Sequence, residues 1–182
     1  MTKLTFRSLW AALAIITMAL TATSCGHDSD DGNTPDNPSS AERTLATYVC
    51  KYEVKLSPAW YDFFTIEVEY SFGDSDGVRR ETLTADKTYT QSVEGNPSGD
   101  FIFNVTAIPR ADHAEVAEGE VYRFTQETLN IVTGTYTDGS RATIAGGNTA
   151  HIDGFSLGGN GLTAYMAKEH KITSFTSSYP AK

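Results

Sequence analysis

Phe64-Thr65-Ile66-Glu67-Val68-Glu69-Tyr70-Ser71-Phe72 alternates between apolar and polar side chains along its whole length. A period of two puts Phe64, Ile66, Val68, Tyr70 and Phe72 on one face of an extended strand, with Thr65, Glu67, Glu69 and Ser71 on the other. That is the pattern of an antiparallel sheet with one face on a core and one in water. The same period governs the stretch upstream, where Tyr48, Cys50, Tyr52, Val54 and Leu56 oppose Val49, Lys51, Glu53 and Lys55 between Leu45 and Leu56. Between the two strands, Ser57-Pro58-Ala59-Trp60-Tyr61-Asp62 breaks the alternation, and Ser57 as N-cap before Pro58 at the first position predicts a single helical turn.

Downstream, Gly73-Asp74-Ser75-Asp76-Gly77 reads as a tight turn, because Asp-Gly tolerates positive φ. Asp74 and Asp76 have the look of a calcium loop, but the remaining ligands and the closing Glu are not at the required offsets. Val78–Thr84 is expected to pair back as a polar edge strand, and Thr88–Glu94 to form another. After the Gly95–Asp100 loop, Phe101–Ile108 is apolar on both parities and is expected at the centre of a sheet. Beyond the polar stretch Arg110–Gly119, Tyr122 and Phe124 have one parity and Leu129 and Ile131 the other, which predicts a bulge or break near Gln126 and Glu127. Thr137-Asp138-Gly139-Ser140 is a second hairpin turn, leading to a short strand at Ala142–Ala145. The glycine-rich stretch from Gly146 to Gly161 reads as loops and bulges, since no phosphate-binding fingerprint sits in it. Asn160 is expected to cap a helix of two to three turns carrying Leu162, Tyr165, Met166 and Glu169 on one stripe, and a last strand follows from Lys171.

Eight to nine short strands with regular turn signals predict an all-β domain over residues 41–182: a two-sheet antiparallel sandwich with one short helix near the C-terminus, a closed barrel being the alternative. The first strand, the small turn with Trp60, the Ile66-Glu67-Val68-Glu69-Tyr70 strand and the late helix-then-strand resemble the small immunoglobulin-like lipoproteins of gut Gram-negative bacteria. That family is mostly of unknown function, so the resemblance implies a fold and an address rather than an activity.

The N-terminal segment supplies the address. Lys3 and Arg7 precede an apolar run from Leu9 to Ala22, then Thr23, Ser24 and Cys25. The run is shorter than the ~20 residues a spanning helix needs. It resembles a bacterial lipoprotein signal over residues 1–24, with Ala22 where the common motif favours Leu. The resemblance implies acylation of Cys25 and a membrane partner reached through the lipid anchor. Asp28, Asp30 and Asp31 resemble the acidic tag that directs such lipoproteins to the outer membrane, facing the cell exterior. Residues 25–40, rich in Asp, Asn, Pro, Ser and Gly, are expected to be a flexible acidic tether.

The 182-residue chain has a formal net charge of −9, and the only basic doublet in the domain is Arg79-Arg80, which argues against nucleic acid. Cys50, left without a partner once Cys25 is lipidated, shares its strand face with four apolar residues and is expected to be a buried structural thiol. His113, His151 and His170 sit in polar segments and are read as surface side chains. The sequence holds no recognisable nucleophile–base pair, metal motif or cofactor fingerprint, so the expectation is no enzyme, no cofactor and no metal. Trp60 and Tyr61, aromatic rings in a polar turn, are the ligand-binding candidates, for stacking on a glycan or a surface protein; the competing role for Trp60 is to plug one end of the sandwich. The expected function is a lipid-anchored binding module. A structural subunit of an outer-membrane uptake complex or surface fibre is the alternative, and a hydrolase would need a deep pocket.

Overall fold

The computed structural model describes residues 43–180; the segments expected to be signal and tether, with Cys25, Asp28, Asp30 and Asp31, lie outside them. Nine strands and two short helices follow one another: β1 (Leu45–Leu56), α1 (Pro58–Phe63), β2 (Phe64–Phe72), β3 (Arg79–Leu83), β4 (Lys87–Glu94), β5 (Phe101–Pro109), β6 (Val121–Tyr136), β7 (Arg141–Gly146), β8 (His151–Gly158), α2 (Gly159–Tyr165) and β9 (His170–Ser177). They form two antiparallel sheets. One has the order β4-β1-β6-β7, with β8 also on β6, and the other has the order β3-β2-β5-β9.

The pairings of β1 with β4 and of β2 with β5 are the B–E and C–F pairings of an immunoglobulin-like sandwich. In that frame β9 takes the place of strand G beside β5, and β6 takes the place of strand A beside β1. The core is what the alternation dictates: Tyr48, Cys50, Tyr52 and Val54 from one sheet face Ile66, Val68, Phe101, Phe103 and Val105 from the other, all at most 1% exposed. The Tyr52 ring stacks on Phe103 at 5.0 Å and on Phe72 at 5.6 Å, and its hydroxyl donates to the Ser71 carbonyl at 2.8 Å. An aromatic body with its polar tip satisfied is the economical way to bury a tyrosine.

Burial pushes the Cys50 thiol up to about 12. The group is fully enclosed, and its Sγ lies 3.5 Å from the Phe72 carbonyl oxygen. Cys50 is therefore expected to resist a maleimide in the native Cys25→Ala protein and to react completely in guanidinium, as followed by mass spectrometry. Rapid native labelling would mean that β1 opens far more readily than its packing implies.

Three expectations are corrected. No bulge interrupts β6 at Gln126–Glu127, where the ladder with β1 runs unbroken from Thr135 to Gln126. The strand keeps one parity by burying Thr128 between Phe124 and Val132 and leaving Leu129 and Ile131 half-buried on the outer face. The glycine-rich stretch is not only loop, since His151–Gly158 is strand β8, paired with Val121–Thr128. α2 stops at Tyr165 and does not reach Glu169; its N-cap is Gly158, with Asn160 inside the first turn and no side-chain cap present.

β6 is long enough for two edge partners laid end to end. β7 pairs with Ile131–Thr135 and β8 with Val121–Thr128 on the same edge. The chain switches between them at Gly146, whose φ is +72°, while the Gly147 N–H donates to the Asn130 carbonyl at 2.9 Å.

The seam between edge strands β3 and β4 is closed by charge. Glu81 accepts from Lys87 at 2.6 Å and also from the Tyr89 hydroxyl, and Arg79 binds Asp74 at 2.9 Å and Asp76 at 2.6 Å while lying over the Phe72 ring. The two aspartates of the calcium-like turn thus have a guanidinium between them. Burial alone would raise the Glu81 carboxyl, but Lys87 and Tyr89 outweigh it and hold the group below the usual range. A depressed folded-state pKa stabilises above the unfolded value and loses that contribution as pH falls through the folded value. Glu81→Gln is therefore expected to flatten the loss of stability below about pH 4, measured by urea unfolding across pH. An unchanged acid limb would remove the seam from the account.

Candidate functional site

β6 overshoots β1. Gln126 pairs with Leu56, the last residue of β1, and Val121–Thr125 continue beyond it with β8 at their side. At that point the main chain turns away from the sheet into α1. Ser57 covers the exposed edge: its N–H donates to the Thr125 carbonyl at 2.9 Å, its Oγ donates to the Arg123 carbonyl at 3.1 Å, and Oγ accepts from the Thr125 N–H at 3.0 Å. Ser57 precedes the helix, but its side chain does not cap it. It stands in for the next strand residue. Ser57→Ala is expected to cost about 1 kcal/mol by orphaning two β6 backbone groups at a part-exposed site. Urea midpoints of the two proteins check this.

α1 is short because Pro58 starts it and Phe64 resumes extended backbone. Its two aromatic candidates part company. Trp60 is 1% exposed and sits in a cage of Phe124 (5.0 Å), Phe64 (5.5 Å), Phe155 (6.0 Å) and Tyr165 (6.5 Å). Its indole Nε1 has no hydrogen-bond partner among the described residues. A ring so enclosed has no face left for a ligand, and Trp60 plugs the end of the sandwich instead.

Tyr61 is half-buried and borders a surface groove. One part, about 400 Å³, is lined by Leu56, Pro58, Tyr61 and Asp62 on one side and Thr84, Ala85 and Asp86 on the other. A second part, about 230 Å³, shares Leu56 and Asp86 and continues past Gln126 and Glu127 to Ile152, which is 73% exposed. Asp86 Oδ1 accepts from the Leu56 N–H at 2.9 Å and from the Tyr61 hydroxyl at 3.4 Å. Burial, followed by the Asp86 charge, pushes the Tyr61 hydroxyl up to about 12, so it stays a donor at neutral pH. Lys55 is held between Glu53 (2.6 Å) and Glu127 (2.8 Å).

The remaining recesses have less to offer a ligand. On the outer face of β3-β2-β5, a recess of about 450 Å³ has its central polar groups bound to one another, Arg80 and Asn104 both to Glu69, and Glu67, Thr82 and Thr106 add to its polar lining. Between Val116–Gly119 and Gly158–Gly161, a recess of about 540 Å³ is lined by four glycines with Val116, Ala117, Glu118, Asn160 and Thr163, and no aromatic ring. Compared with family models, curated proteins and solved structures, the chain finds no significant match.

Among the histidines, His113 and His151 are exposed, as expected, but His170 is half-buried. It stacks on Tyr165 at 3.6 Å, and its Nε2 pairs with the Tyr165 carbonyl at 2.7 Å, tying α2 to β9. Sequence reasoning missed Asp86 and Ile152. Asp86 sits in a turn where any small polar residue would read the same, and Ile152 lies in a stretch read as loop. Among the described residues, no group of three or more His, Cys, Asp or Glu is placed to hold a metal ion.

Proposed function

We propose that the protein is a lipid-anchored, non-catalytic module of the outer membrane that binds a surface protein or a glycan through the groove beside Tyr61. The observation that carries the reading is the Tyr61 ring next to the Asp86 carboxylate in an open groove at the α1 end of the sandwich. An aromatic face with a fixed polar group beside it is the minimal recognition unit for either ligand class. The chain enters the domain at the other end: β1 has 12 residues, so Leu45 and Leu56 lie roughly 40 Å apart. Support for the anchor is the order of basic start, apolar run and Cys25. Protease shaving of intact cells beside a Cys25→Ala strain tests the address, and loss of ligand capture on Tyr61→Ala in a protein of unchanged thermal stability tests the groove. Protection of the domain from protease, or full capture by Tyr61→Ala, would sink the corresponding half.

A second reading, a subunit of a larger outer-membrane assembly, is favoured by β8. Among the described residues the strand pairs only with β6; it carries neither Lys nor Pro and exposes Ile152. Unpaired edges accept strands from partners. The Gly154 N–H is already taken by Asp153 Oδ1 at 2.7 Å, a local device that blunts the edge. Cross-linking that never joins the domain to another outer-membrane protein would count against this reading.

A further inference from the structure

We infer that the Tyr61 half of the groove takes the basic side chain of a protein partner, a lysine or arginine, in preference to a sugar; this rests on the binding reading above. The half-groove holds two carboxylates, Asp62 and Asp86, and no cation lines it. Both hydrogen bonds to Asp86 go to Oδ1, leaving Oδ2 without a partner among the described residues. The nearby cations are committed elsewhere. Lys55 is bound to Glu53 and Glu127, and Arg110 is bound to Asp112 at 2.9 Å and to the Tyr61 carbonyl at 3.1 Å.

The rest of the lining suits an aliphatic stem that ends in a charge. Leu56, Pro58 and Ala85 are apolar, and Tyr61, an aromatic residue of the kind that attracts cations, borders the same space. A sugar would meet the opposite problem. Its many hydroxyl oxygens need donors as well as acceptors, and the only side-chain donors here are the hydroxyls of Thr84 and Tyr61, the latter already directed at Asp86. The chain's net charge of −9 adds a long-range field that draws basic partners in and repels acidic ones.

The experiment is a heteronuclear NMR titration of the folded domain with three probes: Nα-acetyl-lysine methylamide, Nα-acetyl-arginine methylamide and methyl β-glucoside. The lysine or arginine probe is expected to shift the Tyr61, Ala85 and Asp86 signals, with an affinity that falls about tenfold in Asp86→Asn and falls again as salt is raised. Asn keeps an acceptor for the Leu56 N–H, so the variant removes charge without removing the bond that sets the turn; unchanged signals in the core strands verify its fold. Shifts with the glucoside alone would overturn the inference while leaving the groove as a binding site. No shift with any probe at high millimolar concentration would also overturn it, and ligand capture by Tyr61→Ala would then decide the fate of the groove independently. Equal binding by Asp86→Asn and the parent would overturn the role given to charge.

Discussion

Trp60→Ala should destabilise the domain by about 3–5 kcal/mol, the range for deleting a large buried aromatic. The indole is the centre of a five-ring cluster that joins α1, β2, β6, β8 and α2, and in that cluster the Phe124 and Phe155 rings stack at 5.2 Å. Removing it leaves a cavity that cannot collapse without moving β8, whose own side chains are otherwise half-buried or exposed. The melting temperature is expected to fall by roughly 10 °C, read by far-ultraviolet circular dichroism. Tyr61→Ala, one residue away, should cost far less, because its hydroxyl makes one long bond to Asp86. If Trp60→Ala kept full stability and lost only binding, the assignment of plug and groove to these two neighbours would be reversed.

Gly146→Ala should be the most damaging glycine substitution relative to its size. A Cβ there would lie 2.2 Å from the Asn130 carbonyl oxygen, a main-chain atom of the central strand β6 that cannot swing aside. The φ of +72° adds its own penalty for a non-glycine residue. Conformation and clash together put the loss at about 2–5 kcal/mol. Gly139→Ala separates the two contributions: its φ is +82°, but nothing lies within 4 Å of the added atom, so it should cost only about 1–2 kcal/mol. Urea unfolding of the pair measures the difference, and equal losses would show that the backbone conformation alone matters.

What could be read from the sequence followed from how much of each pattern is local. β1 and β2 begin and end where their alternation does, because each buries most of one face and a slip by one residue would turn that face to water; the exceptions in β2 are Tyr70, half-buried, and Ser71, buried from the face expected in water. β6 misled because its apolar residues change parity while its backbone does not. Long pairing with β1 overrides the local pattern, and Thr128 takes a core position that an aliphatic residue would normally hold. β8 was hidden for the opposite reason. With Gly154 and Gly158 in it and mostly exposed side chains, its strand character is imposed by β6 rather than by its own residues. Only Phe155 and Leu157, two apart, hinted at it.

The candidate site was legible to the same degree. Tyr61 stood out as an aromatic ring in a polar turn, but adjacency in sequence could not say that Trp60 would face inward and Tyr61 the groove. That division follows from the helical backbone of α1, which points successive side chains in different directions. Asp86 comes from the far side of the β3–β4 turn and meets Tyr61 only because the sandwich brings the two loops to one end.

The placement of β1 has a mechanical consequence. A load applied between Arg43 and the groove runs along the length of a central strand, registered to β4 from Thr47 to Val54 and to β6 from Leu45 to Leu56. Such a pull loads those two ladders in shear, so that many hydrogen bonds must yield together, whereas a pull across the strands would peel them one at a time. The domain therefore resists a force applied along β1 better than one applied across it.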